Sequence, residues 1–345
     1  MSKSNPYTLV FGKEPGELIS RVTQFDDVIE NFTAEKSSQQ VYMVTGVRGS
    51  GKTVFMTEVA NHLRSDEQWV VTELNPEKDM MVALAAKLAS ENKLAQIFKN
   101  SKINLSLFGL GLEVSGEVPV ADIDVAVSKM IESLKKHGKR VLITVDEAVN
   151  NKFVKEFVAS FQILLRQDLP VYLLMTGLYD NINSLQNEKS LTFLYRAPKI
   201  ELAPLNIGAI TRNYMDNFSI EKDTAVKMAK LTRGYSFAFQ VLGYFTWENG
   251  GDYNKAIGKF RQYLDEYVYD KVWSELSAGD RKILRAMAEA KSEKIIDIRK
   301  VLNVDNNEFN PYRKRLIKKG LINGEQRGEV TFTLPMFEDY ITENS

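Results

Sequence analysis

A glycine-rich turn between a strand pattern and a helix pattern is the feature that most constrains the fold. Residues 41–55 read VYMVTGVRGSGKTVF, in which a β-type apolar run is followed by GVRGSGKT and then by an amphipathic helical pattern. Glycines permit a tight loop whose backbone N–H groups converge, and the following helix adds its positive N-terminal end. The stretch therefore predicts an anion-binding loop after a buried strand of a parallel α/β sheet.

Further strand and helix patterns alternate through the first half of the chain. Short apolar runs at residues 69–74, 140–146 and 170–177 alternate with helical patterns at residues 52–63, 79–91 and 125–137. Such alternation is typical of a parallel α/β sheet. Residues 102–118 fit neither pattern, and their short runs around Gly109 and Gly111 predict a β-hairpin inserted between helices.

The strand pattern disappears from about residue 206. Four stretches with apolar residues at spacings of three and four predict a small all-helical lid over residues 206–273. Residues 274–345 predict three short helices and a hairpin turning at residues 324–328, which is the order of a winged helix. The sequence thus predicts three domains: a P-loop α/β core (1–205), a helical lid (206–273) and a winged helix (274–345).

Composition excludes several kinds of site. The 345 residues contain no cysteine and two histidines, so disulfides, thiolate metal sites and histidine-rich metal sites are excluded. Lys+Arg and Asp+Glu both number 45, and bulk charge therefore favours neither nucleic acid nor a membrane as partner. The first residues lack the apolar core of a signal peptide and no run approaches 18 apolar residues, so a cytoplasmic protein without membrane association is expected.

The glycine-rich turn matches a nucleotide-phosphate motif. Gly46, Gly51, Lys52 and Thr53 fit G-x-x-x-x-G-K-[ST], in which the lysine reaches the β- and γ-phosphates and the hydroxyl binds Mg²⁺. A fortuitous glycine-rich turn is the alternative, and the strand before it and the helix after it disfavour that reading. The predicted nucleotide-binding residues are Gly46, Val47, Arg48, Gly49, Ser50, Gly51, Lys52, Thr53 and Val54.

An acidic pair after the strand VLITV supplies the second element of such a site. Asp146 is predicted to reach the metal through water, and Glu147 to act as the base that polarises the attacking water. Alone, an acidic pair here could equally begin a loop or cap a helix. After a phosphate-binding motif, it favours metal binding and hydrolysis over a pure nucleotide-binding switch.

Three further residues are weaker candidates. Thr176, at the end of the strand LLMT, is predicted to lie beside the γ-phosphate, or else to cap the next turn. Arg196 is predicted to contact phosphate in cis or to act as an arginine finger on a neighbouring copy, unless it is a surface arginine. Arg233 precedes a helix of the lid, where a second sensing arginine could lie.

With these residues in view, the chain resembles the AAA+ superfamily, and within it the archaeal-type ATPases and origin-recognition ATPases. The resemblance rests on VTGVRGSGKTVFMTEV, LITVDEA, MTGLYDNI, LTRGYSFAFQVLGYFTWE and the C-terminal RKRLIKKGLI. It implies that Arg21 and Phe11 lie near the adenine and ribose. It also implies that Thr176 replaces the usual sensor asparagine, and that Gly234–Tyr235–Ser236 replaces a Gly–Tyr–Pro segment of the lid.

A basic stretch near the C-terminus raises the question of DNA binding. Residues 274–345 contain 13 Lys/Arg and 12 Asp/Glu, so the segment as a whole is not basic. The third predicted helix, which enters the major groove in helix-turn-helix proteins, nevertheless carries five cations without an acid among them. These candidate DNA contacts are Arg313, Lys314, Arg315, Lys318 and Lys319. A solvated helix face used for protein contacts or autoinhibition is the alternative.

These observations predict an ATPase that uses ATP and Mg²⁺. They do not determine which process ATP hydrolysis is coupled to. One hypothesis couples nucleotide state to engagement of double-stranded DNA by the winged helix. Another is a signalling switch in which the winged helix makes protein contacts without DNA. A protein-remodelling machine is disfavoured, because the sequence shows neither a substrate-recognition domain nor a pore loop. Assembly into a nucleotide-dependent homo-oligomer is compatible with the first two.

Overall fold

The computed structural model describes residues 4–10 and 15–344 and divides into two compact units. One unit, here the sheet unit, consists of Arg21–Thr45 and Lys52–Glu201. The other, here the helical unit, consists of Met1–Ser20 as far as it is described, Gly46–Gly51 and Leu202–Ser345. The glycine-rich loop Gly46–Gly51 thus packs with the C-terminal half of the chain.

The sheet unit is built on one five-stranded parallel sheet, which confirms the predicted α/β P-loop fold. The strand order is β2-β3-β4-β1-β5, and every neighbouring pair is parallel. Four strands are the predicted apolar runs, and the three-residue β5 was not predicted. The strands are β1 (Val41–Thr45), β2 (Trp69–Glu73), β3 (Arg140–Val145), β4 (Val171–Gly177) and β5 (Lys199–Glu201).

Three helices of this unit begin where a side chain accepts a hydrogen bond from one of their first N–H groups. Asp79, Asp122 and Asn151 each precede a helix and accept a hydrogen bond from the backbone N–H three residues on. The helices are α1 (Val22–Thr33), α2 (Lys52–Arg64), α3 (Met80–Ser90), α4 (Asn92–Asn100), α5 (Ile123–Lys136), α6 (Lys152–Arg166) and α7 (Tyr179–Gln186).

The predicted hairpin at residues 102–118 is wrong. This stretch is fully described and contains no strand, only a short 3₁₀ helix at Ser106–Phe108. Asn104 is buried, and its amide donates to the carbonyls of Val114 and Glu117 while its side-chain oxygen accepts from the Ser106 N–H. The Asn104 side chain therefore holds this stretch as a loop, together with one backbone bond from the Leu105 N–H to the Leu112 carbonyl at 2.7 Å.

The helical unit includes the residues for which a helical lid and a winged helix are predicted. The elements of the helical unit are α8 (Ile207–Phe218), α9 (Lys222–Leu231), α10 (Ser236–Glu248), α11 (Tyr253–Leu264), α12 (Asp270–Glu275), α13 (Ala278–Ala290), α14 (Ile295–Leu302), α15 (Asn306–Lys318), β6 (Ile322–Asn323), β7 (Thr331–Phe332) and α16 (Phe337–Glu343). A π-helix at Asp265–Tyr269 joins α11 to α12. Strands β6 and β7 are antiparallel, so three helices and a hairpin follow one another in the predicted order. The three-domain division stays a prediction, because the lid and the C-terminal segment share one unit.

Each unit has its own apolar core. In the sheet unit, strand residues such as Met43, Ile143 and Leu173 are fully buried. In the helical unit, the N-terminal residue Tyr7 enters the core, where its hydroxyl donates to Asn213 at 2.7 Å. A Cβ on Gly243 would overlap the Tyr7 ring, so this helix position is open only to glycine.

Among the described residues, every helix is too short or too polar to cross a bilayer.

Candidate nucleotide site

Polar residues gather at the carboxyl edge of the sheet, where ligands of parallel α/β sheets bind. Strands β3, β4 and β1 are adjacent, and the pairings Val145–Met175 and Val44–Thr176 place their C-terminal ends side by side. Asp146 follows β3 directly. Three of the predicted site residues in the sheet unit, Asp146, Glu147 and Thr176, therefore share one edge.

The two predicted metal ligands touch each other. The Thr53 hydroxyl, in the first turn of α2, donates to the Asp146 carboxylate at 2.8 Å. Thr176 is fully buried and its hydroxyl donates to the other oxygen of the same carboxylate. Asp146 is thereby held between two hydroxyls, one on α2 and one on β4. No residue spacing predicted that Thr176 would bind Asp146, because the two are 30 positions apart.

Glu147 is held through its backbone, and its side chain is exposed. Its N–H lies 3.1 Å from the Asp146 carboxylate and 3.2 Å from the Thr176 hydroxyl. Its φ is +50°, a left-handed conformation that costs a non-glycine residue free energy and is found at functional sites. The Ala148 N–H then donates to the Thr176 carbonyl at 2.8 Å. Thr176 therefore fixes the turn that carries Glu147.

The donor set of this edge fits Mg²⁺. A hydroxyl and a carboxylate are the hard oxygen ligands that Mg²⁺ accepts, with water and phosphate oxygens completing its octahedron. Within the described residues, no three or more acidic, histidine or cysteine side chains form a group that could hold a metal by themselves. Thr53 and Asp146 would therefore hold Mg²⁺ together with a nucleotide. Lys52, the first residue of α2, is largely buried.

The glycine-rich loop has the backbone conformation that its glycines predict. Gly49 and Gly51 have φ values of +75° and +90°, which glycine adopts without steric cost. The Ser50 N–H donates to the Val47 carbonyl at 3.1 Å and closes a tight turn. A Cβ on Gly46 would lie 2.5 Å from the Ser50 hydroxyl. Three glycines are therefore required in this loop, two by φ and one by close packing.

The family resemblance places Phe11 and Arg21 near the adenine and ribose. Phe11 lies outside the described residues. Arg21 directly precedes α1, and burial lowers the pKa of its guanidinium to about 10, although the nearby Glu58 opposes the shift. Arg21 therefore stays protonated at neutral pH. Val54 lies in the first turn of α2, after Lys52 and Thr53. The roles of these residues stay predictions.

The sheet register separates Arg196 from this edge. Arg196 ends a 3₁₀ helix three positions before β5, and β5 runs parallel to β1. Arg196 is exposed and lies at the amino edge of the sheet, whereas Asp146 and Thr176 lie at the carboxyl edge. The strand direction therefore disfavours the predicted contact with phosphate in cis. The predicted role on a neighbouring copy remains untested.

Arg233 has structural partners in the helical unit. Its guanidinium donates to the carbonyls of Phe332 at 2.7 Å and Leu334 at 3.3 Å. The backbone of Arg233 is left-handed, with φ +50°. This side chain thus ties the start of α10 to the segment after β7.

Arg315, Lys319 and Arg313, which are predicted to contact DNA, have partners within the helical unit. Arg315 binds the buried Asp280 carboxylate through two nitrogens, at 2.9 and 2.6 Å. Lys319 lies 3.6 Å from the same carboxylate, and Arg313 donates to the Gly324 carbonyl at 3.0 Å. Lys314 and Lys318 are exposed on α15. An internal carboxylate and a carbonyl thus hold Arg315, Lys319 and Arg313, and the contact of the five cations with DNA stays a prediction.

Comparison with known proteins assigns two parts of the sequence. Residues 27–178 match a family model described as an ATPase domain predominantly from Archaea. Residues 266–341 match a model described as a domain of unknown function. No curated protein sequence is significantly similar to the chain.

Solved structures share the fold over nearly the whole chain. A Walker-type ATPase of Pyrococcus abyssi matches with a TM-score of 0.66 and 15% identity, covering 94% of this chain and 96% of its own. The ORC2 protein of Aeropyrum pernix, solved in ADPNP and ADP complexes, matches with a TM-score of 0.61 and 14% identity, covering 97% and 95%. At these identities the likeness concerns the fold alone.

Proposed function

We propose that the chain binds ATP with Mg²⁺ and hydrolyses it, with Glu147 as the base that orients water. The observation that carries the proposal is the network in which Thr53 and Thr176 both bind Asp146 while Thr176 fixes the Glu147 backbone. These residues are the metal ligand, the acidic partner and the base of a P-loop hydrolase, and they meet at one edge. The ATPase-domain match over residues 27–178 supports the same reading.

Each side chain has a role in phosphoryl transfer to water. Lys52 places a positive charge where the β- and γ-phosphates bind, and the N-terminal end of α2 adds its partial charge. Glu147 accepts a hydrogen bond from the attacking water and aligns it with the γ-phosphorus. Thr176 acts indirectly, by orienting the carboxylate of Asp146 and the peptide of Glu147. Bound Mg²⁺ would neutralise charge on the β- and γ-phosphate oxygens.

Lys52→Ala tests the phosphate contact. Charge-assisted hydrogen bonds contribute about 1.5–3 kcal/mol, so ATP should bind about 30-fold more weakly. Titration calorimetry with MgATP and a phosphate-release assay would measure both binding and turnover. Lys222→Ala, at an exposed lysine of α9 in the helical unit, is the control and should change neither. Equal ATP affinity in wild type and Lys52→Ala would contradict the proposal.

The nucleotide state can reach the C-terminal helices through the glycine-rich loop itself. Arg48, in that loop, forms an ion pair with Glu275 at the end of α12, at 3.0 Å. Both side chains are about one-third exposed, so the pair contributes little to stability and can break without large cost. This contact favours the hypothesis of a signalling switch in which C-terminal contacts follow the bound nucleotide.

Engagement of duplex DNA is the second candidate, and the exposed Lys314 and Lys318 on α15 favour it. Two phosphate contacts give a slope of log affinity against log salt of about −1.8, instead of about −4.5 for five contacts. Replacing both lysines by alanine should abolish that slope. Fluorescence anisotropy with a labelled duplex across salt concentrations measures it. Alanines at the exposed Lys222 and Lys230 of α9 form the charge-matched control, and an equal loss there would count against specific DNA contacts.

Assembly into a homo-oligomer would give Arg196 a role in the nucleotide site of a neighbouring copy. Its exposure and its place before β5 support contact with a nucleotide on another copy over contact in cis. In that arrangement Arg196 would stabilise the charge that develops on the γ-phosphate.

A further inference from the structure

The residues that open α10 contact the back of the glycine-rich loop. We propose that Tyr235, Ser236 and Phe237 are positioning residues for nucleotide binding, which hold three successive carbonyl groups of that loop. These three residues are called the carbonyl clamp below. The inference rests on the proposed function, because it concerns how the same loop binds phosphate.

Each residue of the carbonyl clamp supplies one donor. The Tyr235 hydroxyl donates to the Arg48 carbonyl at 2.5 Å, and the Phe237 N–H donates to the Gly49 carbonyl at 3.1 Å. The Ser236 hydroxyl donates to the Ser50 carbonyl at 2.9 Å. The clamp and the glycine-rich loop belong to the same compact unit. Three consecutive peptide groups are thus fixed from one side.

Peptide geometry makes this contact relevant to phosphate. In a planar trans peptide, the carbonyl of one residue and the N–H of the next point in opposite directions. Carbonyls of residues 48–50 that face the clamp therefore direct the N–H groups of Gly49, Ser50 and Gly51 away from it. Ser50 uses its N–H for the turn to Val47, whereas Gly49 and Gly51 have the positive φ values found in anion-binding loops. The clamp thus orients the donors that face an anion.

Close packing ties the clamp to the loop at Gly49. A Cβ on Gly49 would overlap the Tyr235 hydroxyl and lie 3.1 Å from the Phe237 Cβ. Tyr235 is buried, and burial raises the pKa of its hydroxyl far above the usual value, although Arg48 opposes the shift. The hydroxyl therefore remains a hydrogen-bond donor at any physiological pH. Gly49 is needed for the contact with Tyr235 as well as for its backbone conformation.

The variants Tyr235→Phe and Ser236→Ala each remove one hydroxyl donor and keep the rest of the side chain. One intramolecular hydrogen bond contributes about 1 kcal/mol, so each variant should bind MgADP about fivefold more weakly, and the double variant about 20-fold. AMP lacks the β-phosphate that this loop binds, so its affinity should not change. Titration calorimetry on the full chain with MgADP and with AMP measures both.

Tyr214→Phe is the matched control. Tyr214 is a buried tyrosine of the same unit whose hydroxyl donates to a backbone carbonyl, that of Phe239 at 2.8 Å. It should lose as much thermal stability as Tyr235→Phe while keeping the wild-type affinity for MgADP. Stability and affinity then separate a positioning role from a structural one.

Two results would overturn the inference. Unchanged MgADP affinity in the double variant would show that the clamp is only structural. Tighter binding would show that it holds the loop in a form that excludes nucleotide. In either case wild-type binding of MgADP would leave the proposed function intact. Absence of MgADP binding by the wild type itself would instead remove the proposed function, and the clamp with it.

Discussion

Glu147→Gln should reduce ATP turnover by about 100-fold or more while ATP binding persists. A positioned general base contributes about 10²- to 10⁴-fold to rate, and glutamine keeps the size of glutamate without its charge. The backbone of residue 147 is held through its N–H by Asp146 and Thr176, and those bonds do not depend on the side chain. The substitution therefore removes the base and leaves the network that positions it.

Glu73→Gln provides the control for this experiment. Glu73 ends β2 at the same edge of the sheet and is exposed, as Glu147 is. Phosphate release by Glu73→Gln should stay within about twofold of wild type, because a surface substitution of this kind has little effect. If Glu147→Gln kept more than about a tenth of wild-type turnover under saturating MgATP, another group would have to orient the water.

Arg315→Ala should destabilise the helical unit by about 3 kcal/mol. Asp280 is fully buried, and Arg315 gives its carboxylate two hydrogen bonds, with Ser277 and Lys319 as the remaining partners. Removing the partner of a buried charge costs about 3–5 kcal/mol, because that charge stays buried. The Arg315 side chain is itself 39% exposed and Lys319 remains near the carboxylate, so the lower end of that range is expected.

Urea unfolding of wild type, Arg315→Ala and Lys314→Ala measures this effect. Lys314 is the neighbouring cation on α15 and is exposed, so its removal should change stability by less than about 0.5 kcal/mol. A loss below about 1 kcal/mol for Arg315→Ala would contradict the buried pair. The expected result also shows that charge reversal at Arg315 is a poor test of DNA binding, because it would act through stability.

The sequence correctly predicted the features that depend on neighbouring residues in the chain. Four apolar runs became β1 to β4, and the motif at Gly46–Gly51 fixed the loop conformation, because strand burial and glycine φ values depend on neighbouring residues. The three-residue β5 was missed, because so short a strand owes its pairing to β1 and carries no periodicity. The loop at residues 102–118 was mistaken for a hairpin, because Asn104 closes it through its side chain.

Contacts between residues far apart in the sequence, at the candidate nucleotide site and on α15, could not be predicted from local sequence patterns. Asp280 lies three positions after Ser277 in a capping-box pattern, and the two do bind each other at the start of α13. That pattern predicts a helix cap but gives no sign of Arg315, which lies 35 positions later. Thr176 and Asp146 are similarly distant in sequence. Pairings of this length follow from the fold and not from residue spacing.

The helical unit combines segments that are far apart in the sequence, and this affects the order in which the chain folds. Tyr7 bonds to Asn213, 206 positions later, and the Arg48 carbonyl bonds to Tyr235, 187 positions later. During synthesis the sheet unit has all its strands once residue 201 has emerged, whereas these partners do not yet exist. Contacts of such long range form slowly, because a large loop must close first. The glycine-rich loop of the nascent chain therefore acquires its final contacts only after Tyr235 and α10 have been made.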